Sequence, residues 1–205
     1  MSEAPDRRQA LLEATCRMIA RTGVRGLRVE EVAQQAGAST ALIYYYFKSR
    51  SGLLAATMRF VDERAAEYTQ SSRGDGYERL LDNLQREFQD KRRVRENSAV
   101  WGELRAAAVF DKALREIVGN AGLRWGRYIA ELIEQGQEDG SISTTVDPAA
   151  AAVRFTALVE GLSSRWLAKL LSTEQAHAAV RAAVAAECLP GQRPSVAPER
   201  TAPTV

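Results

Sequence analysis

Residues 26–54 read GLRVEEVAQQAGASTALIYYYFKSRSGLL and contain two short helical patterns separated by a glycine. Apolar residues at helical spacing predict a first helix over residues 29–36. Gly37 permits a sharp turn after it, and a hydroxyl side chain at position 39 or 40 caps a second helix that ends at Phe47. Two short helices joined by a tight turn containing glycine are typical of a helix-turn-helix.

The second of these helices, residues 40–47, has two different faces. At about 100° per residue, Ile43 and Phe47 share the face that packs against the preceding helices. The outer face carries Ala41, Leu42 and Tyr45, with Tyr44 and Tyr46 on its flanks and Lys48 and Arg50 after its end. Such a face fits a DNA major groove, where hydroxyls and cations reach phosphates and apolar side chains contact thymine methyl groups. The alternative is a plain helical hairpin with every aromatic ring in the core; the spacing of the preceding helix and its glycine turn favours DNA binding.

The same stretch, over about residues 7–54, resembles the DNA-binding segment of the TetR (tetracycline-repressor) family. The matching positions are Ala33, Ala36, Gly37, Ser39, Ile43, Tyr44, Phe47, Leu53 and Leu54. The resemblance implies a homodimeric, all-helical transcriptional regulator that binds a palindromic DNA operator, usually a repressor released by a small ligand. The DNA-contacting positions of the family correspond here to Thr40, Ala41, Tyr44, Tyr45, Tyr46 and Lys48. Arg28 stands where the family often has Ser or Thr, which weakens the helix cap but makes a phosphate contact possible; Tyr46 replaces a commonly seen His.

The rest of the chain is also predicted to be helical, so the fold class is all-α. No proline occurs between Pro5 and Pro148, and alternating strand patterns are absent. We expect a three-helix DNA-binding domain over residues 1–50 and a larger helical domain for ligand binding and dimerisation over residues 51–188. A tail rich in Pro, Ser and Thr, residues 189–205, is predicted to be disordered.

The larger domain divides into further helices. They are predicted over residues 77–95, 98–110, 112–139, 148–171 and 173–188. The basic run at residues 91–95 is placed at the C-terminal end of the first of them, where cations suit the helix dipole. We interpret this run as solvated charge rather than as a second nucleic-acid site.

The larger domain resembles the ligand domain of the choline-responsive, BetI-like branch of the family. The resemblance is carried by the run from Glu103 to Arg105, by Gly136 and Gly140, and by residues 147–151, 158–162 and Trp166. It implies a cavity between residues 51 and 171 but names no ligand, because the branch covers many. The candidate ligand-binding residues are Trp101, Arg105, Tyr128, Phe155 and Glu160. We expect the effector to be a small aromatic or cationic molecule, with Arg105 and Glu160 neutralising each other in the empty cavity.

The last two helices are predicted to form a homodimer interface. Alanine makes up 13 of the 42 residues from Asp147 to Cys188, and small residues let helices approach closely. One face of the last helix carries Ala176, Ala179, Val180, Ala183 and Val184. The alternative is that this face is an internal core surface of a monomer.

Composition limits the other function classes. The chain has 205 residues, 28 Lys and Arg against 26 Asp and Glu, a single His and two Cys, so we predict no metal site, no cofactor and no catalytic residues. A small helical enzyme remains a remote alternative, and a TetR-like DNA-binding protein controlled by a protein partner is a second one. No basic and apolar leader opens the chain, and the longest uncharged run, residues 32–47, is too short and polar to span a bilayer. We therefore expect a cytoplasmic protein without a membrane partner.

Overall fold

A computed structural model describes residues 4–70 and 73–189, and this part of the chain forms nine α-helices and no strand. They are α1 (Ala4–Thr22), α2 (Val29–Gln35), α3 (Thr40–Phe47), α4 (Arg50–Thr69), α5 (Gly76–Gln85), α6 (Arg92–Ala108), α7 (Lys112–Glu138), α8 (Pro148–Leu167) and α9 (Thr173–Cys188). The all-α prediction is confirmed. Apart from Leu189, the tail predicted to be disordered lies outside the described residues.

The first three helices pack around a core that continues into the rest of the molecule. Ile19 of α1, Val32 of α2 and Ile43 of α3 are buried together. The same cluster extends along α4 to Val100 and Leu104 of α6. The helices that carry the helix-turn-helix are therefore joined to the larger part by a shared apolar core.

A second core lies among α5, α7, α8 and α9. Its largest fully buried side chains are Phe88, Phe155 and Trp166. Helix α8 is capped at its N-terminus by Asp147, whose side chain accepts a hydrogen bond from the Ala150 amide. None of the helices in the described part has the length and apolar character needed to cross a membrane.

The helix predicted over residues 77–95 is wrong, because α5 ends at Gln85 and α6 begins at Arg92. The chain breaks there to bury Phe88, whose ring packs edge-on against Trp166 at 5.8 Å between centroids. The basic run consequently opens a helix, where the dipole disfavours cations. Carboxylates offset this cost: Arg93 pairs with Glu67, and Arg95 pairs with Asp90.

The predicted dimer face on α9 is also wrong. Ala176, Val180 and Val184 are fully buried within the chain, in the core that α9 shares with α5 and α8, so the alternative of an internal core surface holds for this face. A different set of small residues is exposed. It comprises Ala149, Val153, Ala157 and Gly161 on α8 and Ala178, Ala182 and Ala186 on α9.

Candidate DNA-reading surface and ligand cavity

The turn between α2 and α3 has the geometry that the sequence predicts. Gly37 has a φ of +63°, in the left-handed region that favours glycine. The Ser39 side chain caps α3 by accepting a hydrogen bond from the Leu42 amide at 3.3 Å. Ile43 and Phe47 are buried in the core that α3 shares with α2 and α4, so the opposite face of α3 is turned outward.

The outward face of α3 is aromatic and exposed. Tyr45 is 68% exposed and Tyr44 is 47% exposed, values that are unusual for large aromatic side chains. Ala41 is exposed beside them, whereas Thr40 is half-buried. The predicted face differs at two other positions, because Leu42 and Tyr46 are half-buried and pack against the N-terminal core.

Lys48 lies at the end of this face in a strained turn. Its φ is +64°, and the Ser49 amide donates to the Phe47 carbonyl at 2.7 Å, which makes a γ-turn of the rare, strained kind. The Lys48 ammonium donates to the Tyr45 carbonyl at 2.9 Å and lies 5.4 Å from the centre of the Tyr45 ring. The turn therefore holds a cation against the most exposed tyrosine.

Arg28 adds a second exposed cation at the start of the neighbouring α2. It occupies the cap position without a side-chain cap hydrogen bond, as the departure from the family pattern predicts. Its side chain is 76% exposed and only loosely paired with Glu31, at 3.9 Å.

A cavity of about 340 Å³ lies between α4, α6, α7 and α8 and the connection that follows α5. The structure brings four of the five predicted ligand residues to its wall: Trp101, Arg105, Tyr128 and Glu160. Phe155 is not among the lining residues. It lies one turn of α8 before Val159, which does line the cavity, and its side chain is buried in the C-terminal core instead.

Most charged groups on the cavity wall are neutralised by partners. Arg105 pairs with Glu160 at 3.0 Å, as predicted for the empty cavity, and its guanidinium also lies 5.8 Å from the centre of the Trp101 ring. Arg124 pairs with Asp62 at 2.7 Å.

Glu87 is different, and the sequence pattern does not predict it as a ligand residue. It follows α5 in the connection that was predicted to be helix, and its side chain faces the cavity. Within the described part of the chain it has no ion pair or hydrogen bond. Burial raises the pKa of the Glu87 carboxyl to about 7; the charge of Arg105 lowers it and that of Asp62 raises it. In the sequence, its only signal is that an acidic side chain stands next to the apolar Phe88.

Aromatic rings stand on the same wall as this carboxylate. Trp101 and Trp125, the second of which was not predicted as a ligand residue, have their ring centres 6.5 Å apart with planes tilted by 49°. Tyr128 follows Trp125 by one turn of α7. Aromatic faces and an unpaired carboxylate are groups that attract an organic cation.

Two family matches cover most of the chain. Residues 11–57 match the bacterial regulatory proteins of the tetR family. Residues 76–189 match the C-terminal domain of BetI-type transcriptional repressors. The chain belongs to the TetR family. Both predicted resemblances, to the family and to its BetI-like branch, are confirmed.

Individual relatives agree with this membership in the TetR family. A BetI transcriptional regulator from Serratia proteamaculans is 38% identical over 63 residues, which are 31% of this chain and 32% of that one, so the match spans about a third of the curated relative. A TetR-family regulator from a Rhodococcus species is 44% identical, with a TM-score of 0.85 over 89% of this chain and 98% of the other.

A more distant structure shows the same fold. A transcriptional regulator from Saccharomonospora viridis, solved in complex with choline, is 24% identical, with a TM-score of 0.78 over 90% of this chain and 98% of that one.

Proposed function

We propose that this TetR-family protein is a homodimeric, cytoplasmic repressor that binds a palindromic DNA operator through α3 and releases it when a small organic cation enters the cavity. The observation that carries the proposal is the unpaired Glu87 carboxylate on a wall that also holds Trp101, Trp125 and Tyr128. The cavity itself favours a small effector over control by a protein partner, since a protein partner needs no internal space.

The exposed aromatic face of α3 supports the DNA-binding part. Tyr45 and Ala41 are proposed to contact base edges, and Tyr44, Lys48 and Arg28 to contact phosphates; the exposure of all five supports this. Thr40 and Tyr46, being half-buried, are proposed to contact phosphate through their hydroxyl groups alone. Tyr44 and Tyr45 together expose apolar area to solvent, and insertion into a DNA major groove covers this area.

The exposed small residues of α8 and α9 support the dimer. Val153 is 68% exposed, and the alanines around it leave room for the backbones of two copies to approach closely. A two-fold dimer presents two α3 helices to a palindromic site.

Sedimentation of two variants tests the dimer. Ala182→Arg should give monomers, whereas Ala113→Arg, which changes an exposed alanine on α7, should leave the dimer intact.

The choline complex of the Saccharomonospora viridis regulator supports the choice of an organic cation. A cation in this cavity gains attraction from the aromatic faces, each worth roughly 0.5–2 kcal/mol. It also neutralises Glu87, whose charge otherwise faces an aromatic cavity without a partner. The pairs Arg105–Glu160 and Arg124–Asp62 contribute no net charge. The carboxylates that remain on the wall are Glu87 and the exposed Glu63, so the wall favours a cation.

Calorimetric titration with choline and with dimethylbutanol, its neutral analogue with carbon in place of the ammonium nitrogen, tests this proposal. We expect choline to bind more tightly than dimethylbutanol by at least about tenfold, and Glu87→Gln to lose most of this difference, while the aromatic faces retain the rest. Glu134→Gln, an exposed carboxylate elsewhere on α7, is the matched control. Equal affinities for the two compounds, or unchanged choline binding by Glu87→Gln, contradict a cationic effector.

A further inference from the structure

Helix α6 has the ligand cavity on one face and the DNA-binding helices on the other. Trp101 and Arg105 line the cavity. Glu103 lies between them in sequence, so its side chain points to the opposite side of the helix. There its carboxylate accepts a hydrogen bond at 3.1 Å from the Val24 amide, in the turn between α1 and α2.

The same turn is held from its other side by the helix that follows α3. The Arg50 guanidinium donates to the Val24 carbonyl at 2.6 Å. Arg50 is the first residue of α4 and is separated from α3 only by Lys48 and Ser49. One residue of the turn, Val24, is therefore linked through its amide to α6 and through its carbonyl to the end of α3.

The turn is shaped to receive the Glu103 carboxylate. Gly23 has a φ of +71°, and a Cβ atom at this position would lie 2.6 Å from a Glu103 carboxylate oxygen. The Val24 side chain is buried, which anchors the turn in the N-terminal core. The partner of the Glu103 carboxylate in the turn is therefore the backbone of Val24, not a flexible side chain.

An open groove beside this contact leaves the two sides room to move. It has a volume of about 540 Å³ and runs between the end of α1 and the C-terminal half of α6, with Arg21, Arg25 and Phe110 on its walls. The Glu103 contact beside this groove is polar and exposed, whereas Leu104 and Ala108 of α6 pack in the apolar core that α1 shares. An exposed hydrogen bond contributes little to stability, but it fixes an orientation.

We infer that Glu103 is the positioning residue that couples the cavity to α3: a shift of α6 on ligand entry moves Glu103, the Val24 peptide, and through Arg50 the junction of α3 and α4. This inference rests on the proposed function, since it assigns the route by which the cavity acts on DNA. It places the coupling in a hydrogen bond from the turn between α1 and α2 to α6, in addition to the apolar core that α1, α4 and α6 share.

The test compares Glu103→Ala with Glu103→Gln. Gln retains an oxygen that accepts from the Val24 amide, whereas Ala retains none. Glu116→Gln, an exposed carboxylate on α7, is the control for loss of charge. Operator duplex is first selected from a random DNA pool with the wild-type protein, and its Kd is then measured with and without saturating choline.

We expect Glu103→Ala to bind choline in the absence of DNA within about twofold of wild type, while the ratio of operator Kd values with and without choline falls at least about tenfold. Glu103→Gln should recover most of that ratio. A role in folding alone predicts a changed melting temperature with an unchanged ratio. If the ratio of operator Kd values with and without choline is the same in Glu103→Ala as in wild type, the inference is overturned.

The ligand-free operator Kd separates this inference from the proposed function. Without choline, Glu103→Ala should bind operator more weakly than wild type by about fivefold or more, because the turn is no longer held to α6, and Glu103→Gln should not. If choline does not bind wild type, the cationic effector is wrong, and the ligand-free comparison still decides the role of Glu103. If Glu103→Ala binds operator as tightly as wild type in the absence of choline, the role assigned to Glu103 is wrong.

Discussion

Two aromatic clusters of this molecule, one on α3 and one on the cavity wall, are built in opposite ways. Tyr44 and Tyr45 come from one short helix and point into solvent. Trp101 and Trp125 come from α6 and α7 and meet on the wall of a cavity. The first cluster is fixed by the periodicity of a single helix, whereas the second exists only where several helices pack.

Each cluster is accompanied by a charge in an unusual position. Lys48 is held beside Tyr45 by a strained turn, and Glu87 faces the cavity without a partner. Backbone strain lowers stability, and so does a half-buried charge that has no partner on an apolar wall; a folded protein keeps such features where another molecule relieves them. For Lys48 that molecule is proposed to be DNA; for Glu87 it is proposed to be an organic cation.

The largest effect is expected from breaking the exposed cluster. Lys48→Ala should weaken operator binding by roughly 30-fold and make the dependence of log K on log salt shallower by about one unit, because one phosphate contact is lost. Choline affinity should stay at the wild-type value. Fluorescence anisotropy across a salt series measures the slope, and an unchanged slope contradicts the phosphate role.

Breaking the enclosed cluster should have the converse effect. Trp101→Ala should weaken choline binding by about tenfold, since it removes an aromatic face, while operator binding without choline is preserved. The variant should therefore stay on DNA at choline concentrations that release wild type. Normal release by Trp101→Ala would show that this cavity is not the sensor.

The pH dependence of choline binding should distinguish the two clusters further. A proton and a cation compete for Glu87, whose pKa burial raises to about 7. Choline Kd should therefore rise about tenfold as the pH falls from about 8 to about 6, and Glu87→Gln should be insensitive to pH over this range. Calorimetry at several pH values measures this; a flat profile in the wild type contradicts the carboxylate's role.

Glu87 also links pH to stability in the empty protein. Because its folded-state pKa lies above the unfolded value, the folded state binds the proton more tightly, and stability falls as the pH rises from about 4.5 to about 7. At pH values above about 7, Glu87→Gln should therefore melt at a higher temperature than wild type. Near pH 4 the two proteins should melt at about the same temperature. Thermal unfolding of both proteins across this range is the check.

The smallest effect is expected at Phe155. Phe155→Leu should lower the free energy of unfolding by about 1 kcal/mol, because it trims a buried core side chain, and should leave choline affinity unchanged. Thermal melts combined with calorimetry separate the two effects. Weakened choline binding at unchanged stability would place Phe155 in the ligand site after all.

The sequence predicts the DNA-reading half well because its determinants are local. Gly37, the Ser39 cap and the spacing of Ile43 and Phe47 all lie within one short segment. The cavity depends on contacts between distant residues. The break after Gln85 arises because Phe88 packs against Trp166, and this break turns Glu87 toward Trp101 and Trp125.

The α9 face shows a second limit of sequence patterns. Alanine and valine at helical spacing indicate that a face is packed, but not whether the partner is the same chain or another copy. Val180 and Val184 pack internally, while Ala178 and Ala182 on the same helix remain exposed. Only the placement of α5 and α8 against α9 decides between them.

The most direct measurement is release of a labelled operator duplex, selected with the wild-type protein, during titration with choline. Wild type should leave the DNA, dimethylbutanol at equal concentration should not displace it, and Glu87→Gln should remain bound throughout. Retention of wild type on DNA at saturating choline, or equal release of Glu87→Gln, would contradict a repressor controlled by an organic cation at Glu87.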